Sequence, residues 1–166
     1  MTISAYSASV PVFNRLLTAL LNLLDKAEAY AAERKFNVDL LVEDRLYPDM
    51  NPLKFQIQSA TDHAKFSAAR LTGQTPPSWA DDEKTFADLK ARVRKALDYL
   101  AGFKEGDFEG ADTREIQITV GGQPRTVTGQ DYFLGRALPN FYFHYTTAYD
   151  ILRKNGVPIG KRDFLG

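Results

Sequence analysis

The sequence predicts an all-α protein, a four-helix bundle with a crossover connection and a small β-hairpin between helices 3 and 4. Four long segments repeat apolar residues at alternating steps of three and four, which is typical of helices that pack side by side. Glycine and proline pairs separate these segments, and one short stretch alternates apolar and polar residues as a β-strand does. The 166 residues predict one domain, residues 1–166, because single domains commonly have roughly 100–200 residues.

The first helix is expected over about Pro11–Arg34. Ser9 is its predicted cap, and proline suits a first helical turn because its missing N–H has no partner there anyway. The apolar seam of this helix consists of Phe13, Leu17, Leu20, Leu24, Ala27 and Ala31.

The connector that follows is long enough to cross the bundle. Asn51 and Pro52 predict the cap and the first position of helix 2, which should end at about Leu71, before "TGQTPPSW". Helix 3 is expected over about residues 82–101, since acidic residues at its start suit the positive end of the helix dipole.

The stretch "REIQITVGGQPRTVTG" predicts a short β-hairpin. Ile116, Ile118 and Val120 alternate with polar residues, and the glycine pair after them is a turn signal. Helix 4 is expected over about residues 131–154, where Pro139 should kink the helix or mark its true start.

The charge balance argues against a nucleic-acid-binding protein. The chain has 21 lysines and arginines and 21 aspartates and glutamates, whereas nucleic-acid binders need a basic excess for phosphate contacts. The most basic stretch, "KARVRK" at residues 90–95, is interpreted as the solvated side of helix 3.

Other classes of protein are disfavoured by what the sequence lacks. It has no cysteine, which excludes disulfides, thiolate metal sites and thiol nucleophiles in this chain. The start of the chain does not resemble a signal peptide, and the most apolar run, "LLTALLNLL", is too short to span a bilayer. We therefore expect a cytoplasmic protein with no membrane partner.

The chain has two histidines, His63 and His144. His144 lies near the inward face of helix 4, and Asn140 precedes it by four residues, so that the two share one face. The helical stripe of His63 is polar enough to line a cleft and contains Gln56, Ser59, Ser67 and Arg70. If helices 2 and 4 are neighbours, the two histidines face each other, as metal-ligating residues do in helix bundles.

Two interpretations of these residues are open. In the first, His63, His144 and Asn140 hold a divalent metal and leave positions for water, as a catalytic metal requires. In the second, both histidines are hydrogen-bonded interior residues, because two imidazoles and an amide oxygen make a weak site. No catalytic side chain is assigned, since the sequence has neither a serine-hydrolase elbow nor a phosphate-binding loop.

Several segments together resemble the DinB/YfiT-like superfamily of metalloenzymes, in an uncharacterised bacterial branch. They are "SASVPVF", "RLYPDMNPL", "TDHAK", the block from "GQPRTVTG" to "ILRKNGV", and the terminal "GKRDFLG". The resemblance covers nearly the whole chain and implies a four-helix bundle of the DinB/YfiT type.

The better-known members of this superfamily bind a divalent metal with three histidines, one on the second helix and an H-x-x-x-H pair on the last. By this resemblance, His63 matches the second-helix ligand. His144 matches the second member of the pair, because "ILRKNG" follows it at the expected distance. Asn140 stands where the first member is expected, so this chain departs from the pattern there.

The resemblance implies a divalent metal cofactor (zinc, nickel, manganese or iron), a small-molecule ligand and a homodimer. It favours a metal-dependent enzyme of the thiol transferase or hydrolase type. The alternative, which the missing third histidine favours, is a metal-free bundle that binds a small ligand or acts as a dimeric interaction or stress protein.

Overall fold

The computed structural model describes residues 3–166 and contains the predicted bundle and hairpin. The helices and strands are α1 (Ala5–Arg34), α2 (Leu53–Leu71), α3 (Phe86–Leu100), β1 (Glu115–Val120), β2 (Gln123–Thr128), α4 (Gly129–Tyr132), α5 (Leu138–Lys154) and α6 (Lys161–Leu165). Two 3-10 turns occupy Val38–Leu41 and Glu105–Phe108, and a π-helical turn, Phe133–Ala137, joins α4 to α5.

The long helices pack so that α2 lies between α3 and α5, while α1 contacts all three. A long connection that contains the hairpin joins α3 to the last helix, in addition to the connector between α1 and α2 that was predicted to cross the bundle. Strands β1 and β2 pair antiparallel, with Ile116 opposite Val127 and Val120 opposite Gln123. The hairpin prediction is confirmed, including its Gly121-Gly122 turn, where both glycines have positive φ.

The core is formed by the apolar seams of the four long helices. Phe13 on α1 packs against Phe141 on α5, with ring centroids 4.7 Å apart. On α2 the core positions are small, since Ala60, Ala64 and Ala68 are fully buried. Small side chains at four-residue spacing let neighbouring helices approach α2 closely.

The predicted start of the first helix was wrong, because α1 begins at Ala5 and not at Pro11. Ser4 is the cap, and it exchanges reciprocal hydrogen bonds with Ser7 in a capping box. Ser9, the predicted cap, lies inside the helix, where its hydroxyl donates to the Ala5 carbonyl at 2.5 Å. Because the serine box satisfies the first amides earlier, Pro11 occupies an exposed position within the helix.

The predicted starts of helices 2 and 3 also shift along the chain. Helix α2 begins at Leu53 with Pro52 at the cap position, one residue later than predicted. Helix α3 begins at Phe86, because Thr85 and Asp88 form a capping box that fixes the start four residues after the predicted one.

The last long helix begins earlier than predicted, at Gly129, where Thr128 accepts a hydrogen bond from the Asp131 amide. Pro139 lies in the first turn of α5, directly after the π-helical turn. A π turn contains one extra residue, which rotates the following helix relative to the preceding one. The prediction that Pro139 marks a discontinuity is therefore confirmed.

The C-terminal segment, which was not predicted as a helix, folds back onto the bundle as α6. The Tyr145 hydroxyl donates to the Phe164 carbonyl at 2.7 Å, and the two aromatic rings meet edge to face with centroids 4.7 Å apart. Lys26 on α1 pairs with Asp163 at 2.6 Å. These contacts fix α6 against α5 and α1.

Among the described residues, α1 is the helix that is long and apolar enough to cross a membrane by length and composition. Half of its most apolar window is buried within the bundle. The core helix of a bundle has the same composition, because its apolar face packs on the other helices.

A buried ionic network joins α2 to α3. Arg92, which is 3% exposed, contacts Asp62 at 2.8 Å, Asp81 at 3.1 Å and Glu83 at 3.0 Å. It also donates to the Ala80 carbonyl at 2.8 Å. The network therefore ties the connector that precedes α3 to the middle of both helices.

Lys65 completes this network from α2. It lies 2.7 Å from an Asp62 oxygen, and its ammonium group sits 4.4 Å from the ring centroids of both Phe66 and Trp79. Burial lowers the pKa of Lys65 despite the neighbouring carboxylate. The interpretation of "KARVRK" as a wholly solvated face was therefore wrong at Arg92, whose charge is neutralised inside the fold by carboxylates from other segments.

Replacing Arg92 by methionine should destabilise the fold by about 3 kcal/mol, because it leaves Asp62 and Glu83 without their shared partner in a buried position. The matched control is Arg94→Met on the exposed side of the same helix, which should change stability by less than about 0.5 kcal/mol. Urea denaturation followed by circular dichroism measures both values. Equal midpoints for the two variants would contradict the structural role of Arg92.

Gly129→Ala should destabilise the fold by more than about 2 kcal/mol, since an added Cβ would lie 1.8 Å from the Ala111 carbonyl oxygen. The control, Gly135→Ala, adds a Cβ with no atom within 4 Å and should be neutral or stabilising by up to about 1 kcal/mol. Thermal unfolding of the two variants checks the prediction, which fails if Gly129→Ala unfolds at the wild-type temperature.

Candidate functional site

The two histidines lie side by side on neighbouring helices. His63 on α2 and His144 on α5 have ring centroids 5.8 Å apart, and the ring planes differ by 10°. Both side chains are half-buried. At this separation the rings are displaced sideways relative to one another, because directly stacked rings would lie closer. The structure therefore brings together the two histidines that the sequence places on facing helices.

The orientation of the His144 ring is fixed by Gln56 from α2. The His144 Nδ1 lies 2.8 Å from the Gln56 Oε1, and the Gln56 Nε2 donates to the Asn51 carbonyl at 2.8 Å. Because the carbonyl accepts from the amide nitrogen, the amide oxygen faces the ring and must receive a proton from it. His144 is therefore protonated at Nδ1, and its Nε2 carries the free lone pair.

His63 has a different environment, since no protein hydrogen bond engages its ring within residues 3–166. Burial, together with the charges of His144, Arg136 and Arg70, lowers the pKa of His63 from 6.5 to about 4, against an opposing effect of Asp62. Burial also lowers the pKa of His144. Both imidazoles are therefore neutral at pH 7, the form that binds a metal.

Asn140 lies one helical turn before His144. Its Nδ2 donates to the Arg136 carbonyl at 2.6 Å, which leaves Oδ1 as the remaining polar atom of the amide. Positions 136, 140 and 144 share one face of the last helix, because they are four residues apart.

The donor set of this site consists of two imidazole nitrogens and amide oxygens. Within residues 3–166, no three side chains among histidine, aspartate and glutamate come together as a metal-binding group. Two neutral imidazoles with free lone pairs fit zinc, nickel, iron or manganese, whereas an amide oxygen adds a weaker ligand. The residues therefore fit a two-histidine site with a weak third position.

Two aromatic side chains besides His63 border the His144 ring. Phe143 and Phe55 meet its ring edge to face, with centroid distances of 5.2 Å and 5.8 Å. Both are unusually exposed for phenylalanine, at 56% and 38%. Phe55 was not predicted as a site residue, because it lies off the polar stripe of α2 that contains His63.

The other predicted stripe residues of α2 have mixed roles. Gln56 is buried and orients His144, as described above, whereas the Ser67 hydroxyl donates to the His63 carbonyl at 2.6 Å. Arg70 donates to the Tyr132 hydroxyl at 3.2 Å. A separate apolar cavity of about 350 Å³ lies between the starts of α1 and of the last helix, and neither histidine lines it.

Comparisons with known proteins agree with the fold of this chain. The model of a family described as a domain of unknown function, DUF1993, matches residues 5–165. A crystal structure of a DinB family member protein from Shewanella denitrificans is 46% identical and has a TM-score of 0.90, over 97% of this chain and 91% of that chain. A search of curated proteins gives no match. The chain therefore belongs to the DUF1993 family and is a DinB-like protein.

Proposed function

We propose that this protein is a divalent-metal-dependent enzyme, of the thiol transferase or hydrolase type, in which His63, His144 and Asn140 hold the ion. The observation that carries the proposal is the hydrogen bond between the His144 Nδ1 and the Gln56 Oε1 at 2.8 Å. Metal-ligating histidines in proteins usually donate their second ring N–H to such an acceptor, which fixes the ring and its tautomer.

The distance between the two ring centroids lies in the range that a shared ion requires. Two imidazole nitrogens that each lie about 2.1 Å from one ion place their ring centres roughly 5–6 Å apart. The centroids of His63 and His144 are 5.8 Å apart. Burial keeps both rings neutral, so that no proton competes with the ion near pH 7.

Asn140 is proposed as a weak third ligand through Oδ1, because its Nδ2 is already bonded to the Arg136 carbonyl. A bound divalent ion in an open site polarises a substrate carbonyl or lowers the pKa of a water molecule. Gln56 holds the His144 ring in place during this chemistry. Asp62 is engaged by Arg92 and Lys65, so we assign it a structural role and propose no general base.

A second candidate function is a metal-free bundle that binds a small ligand. The exposed rings of Phe55 and Phe143 beside His144 favour it, since apolar side chains around a few polar groups are typical of ligand sites. The homodimer and the cytoplasmic location stay predictions.

Untagged wild-type protein should bind one ion per chain when it is supplied with zinc, nickel, manganese and iron in turn. His63→Ala and His144→Ala should abolish stoichiometric binding, and Asn140→Ala should weaken it about tenfold. Thr146→Ala, at an exposed position on the same helix, is the matched control and should bind as the wild type does. Metal content after gel filtration, measured by mass spectrometry, tests all of these variants.

A substitution that should tighten metal binding is a further test of the proposed function. Asn140→His should tighten metal binding by more than about tenfold, since imidazole is a better ligand than an amide for zinc and nickel. Absence of near-stoichiometric metal in the wild type with all four ions would overturn the metal-dependent function. The metal-free alternative would then be favoured.

The metal-free protein should lose stability as the pH falls from about 6.5 to 4. The pKa of His63 is about 4 in the folded state and near 6.5 when unfolded, so the unfolded chain takes up the proton first. The stability due to this group is complete above pH 6.5, and roughly 2 kcal/mol of it is lost by pH 4.5.

The measurement compares the unfolding free energies of the wild type and His63→Gln at pH 7.5 and pH 4.5. The wild type should lose more stability than the variant between these two conditions. An NMR titration of the imidazole protons locates the midpoint directly, and a His63 midpoint near 6.5 would contradict the prediction.

A further inference from the structure

The surface between α2 and α5 has different chemistry at its two ends. The two helices run antiparallel, because Gln56 near the start of α2 bonds to His144 in the middle of α5, whereas Arg70 near the end of α2 bonds to Tyr132 before α5. We call this strip, from the pair Phe55 and Phe143 at one end to Arg70 at the other, the α2–α5 slot.

The first end of the slot is apolar. Phe55 and Phe143 approach the His144 ring from two helices, with centroid distances of 5.8 Å and 5.2 Å. Their exposed fractions of 38% and 56% mean that these rings retain apolar surface facing solvent. Exposed aromatic surface next to polar groups is a common feature of ligand sites.

The opposite end of the slot is cationic. Arg70 follows His63 by seven residues on α2, and Arg136 precedes His144 by eight residues on the last helix, so that each shares a face with a histidine. The charges of both arginines contribute to the lowered pKa of His63. Arg70 is held by its hydrogen bond to Tyr132 and by the Tyr132 ring, 5.4 Å from the guanidinium carbon.

These two charges have no carboxylate partner in the described part of the chain. Within residues 3–166, neither Arg70 nor Arg136 lies within 4.0 Å of an aspartate or glutamate oxygen. Arg92, by contrast, contacts three carboxylates. Guanidinium groups without counter-ions on two facing helices offer a binding position for an anion, since guanidinium pairs well with carboxylate and phosphate.

We propose that the α2–α5 slot binds an organic anion with an apolar group on one side of its reacting centre and an acidic group on the other. The apolar group lies against Phe55 and Phe143, and the acidic group lies between Arg70 and Arg136. The position of the reacting centre, at the two histidines, rests on the proposed function. The chemical class is that of an amide, ester or thioether that joins an apolar group to an acid.

The geometry also sets a length for this ligand. His63 and Arg70 are separated by seven residues, or about 10 Å along the helix axis. Arginine side chains reach several ångströms from the backbone, so the acidic group lies up to roughly 10 Å from the reacting centre. A flexible spacer of several methylene groups therefore suits the slot better than an acid attached directly to the reacting group.

The test uses N-benzoyl derivatives of glycine and of ω-amino acids with progressively longer methylene chains. Binding to the purified full chain is measured by isothermal titration calorimetry in the presence of a chelator. Affinity should rise with spacer length to a maximum and then fall. For the best ligand, the methyl ester, which has no charge, should bind about tenfold more weakly.

Two variants test the cationic end and the apolar end of the slot independently. Arg136→Gln should weaken binding of the acid about tenfold and leave binding of its methyl ester unchanged. The control Arg94→Gln removes the same charge from the exposed side of α3 and should have less than a twofold effect. Phe143→Ala should weaken binding of acid and ester equally, whereas Leu40→Ala, at an exposed apolar position in the connector, should not.

The inference is overturned if no member of the series binds, if acid and ester bind equally, or if Arg136→Gln and Arg94→Gln are indistinguishable. Repeating the titration with zinc distinguishes this outcome from a failure of the proposed function. Charge-selective binding in a protein that takes up no metal would leave the slot established and the metal-dependent enzyme rejected. Metal binding without charge selectivity would support the metal-dependent enzyme and reject the anion-binding slot.

Discussion

The close antiparallel packing of α2 against α5 is the constraint on which the candidate site depends. A row of fully buried alanines on α2, Ala60, Ala64 and Ala68, lets this helix lie close to its neighbours, since interaxial distance follows side-chain size. At that distance the amide of Gln56 reaches the His144 ring. Without this contact, the tautomer and the orientation of the His144 ring would not be fixed.

Two groups of charges flank the histidine pair, and they differ in how they are balanced. Toward α3, Asp62 is shared by Arg92 and Lys65 in a buried network, which binds the connector before α3 to the bundle. Along the last helix, Arg136 has no such partner among the described residues. Balanced buried charge fixes the fold, whereas unbalanced charge at the surface attracts ligands of the opposite sign. The candidate site therefore lies between the buried ionic network around Asp62 and an arginine, Arg136, that has no carboxylate partner among the described residues.

The irregular start of the last helix positions the residues that the site uses. Gly129 packs directly against the Ala111 carbonyl, and the π-helical turn at Phe133–Ala137 follows within one turn of helix. The extra residue of a π turn changes which side chains face the core after it. Phe141 and Tyr145 then point inward, since both are fully buried, and Asn140 and His144 lie beside them at the edge of the core.

Much of the fold follows from the sequence, because its signals are local. Apolar residues at steps of three and four along α1 predict a helix. Alternating apolar and polar residues on either side of the glycine turn predict the strands of the hairpin. The starts of α1 and α3 were misplaced because reciprocal capping by Ser4 and Ser7, and by Thr85 and Asp88, outweighs the proline and acidic signals. The resemblance to the DinB family is likewise visible in short sequence segments, such as "TDHAK" and "ILRKNGV".

The sequence by itself determined a DinB-like four-helix bundle with His63 and His144 on two of its helices and Asn140 one helical turn before His144. Only the tertiary structure decided that Gln56 orients His144, that Arg92 is buried among carboxylates, and that Phe55 borders the site. Each of these depends on contacts between residues far apart in the chain. Helical periodicity fixes the direction in which a side chain points from its own helix, but not which side chains of another helix it meets.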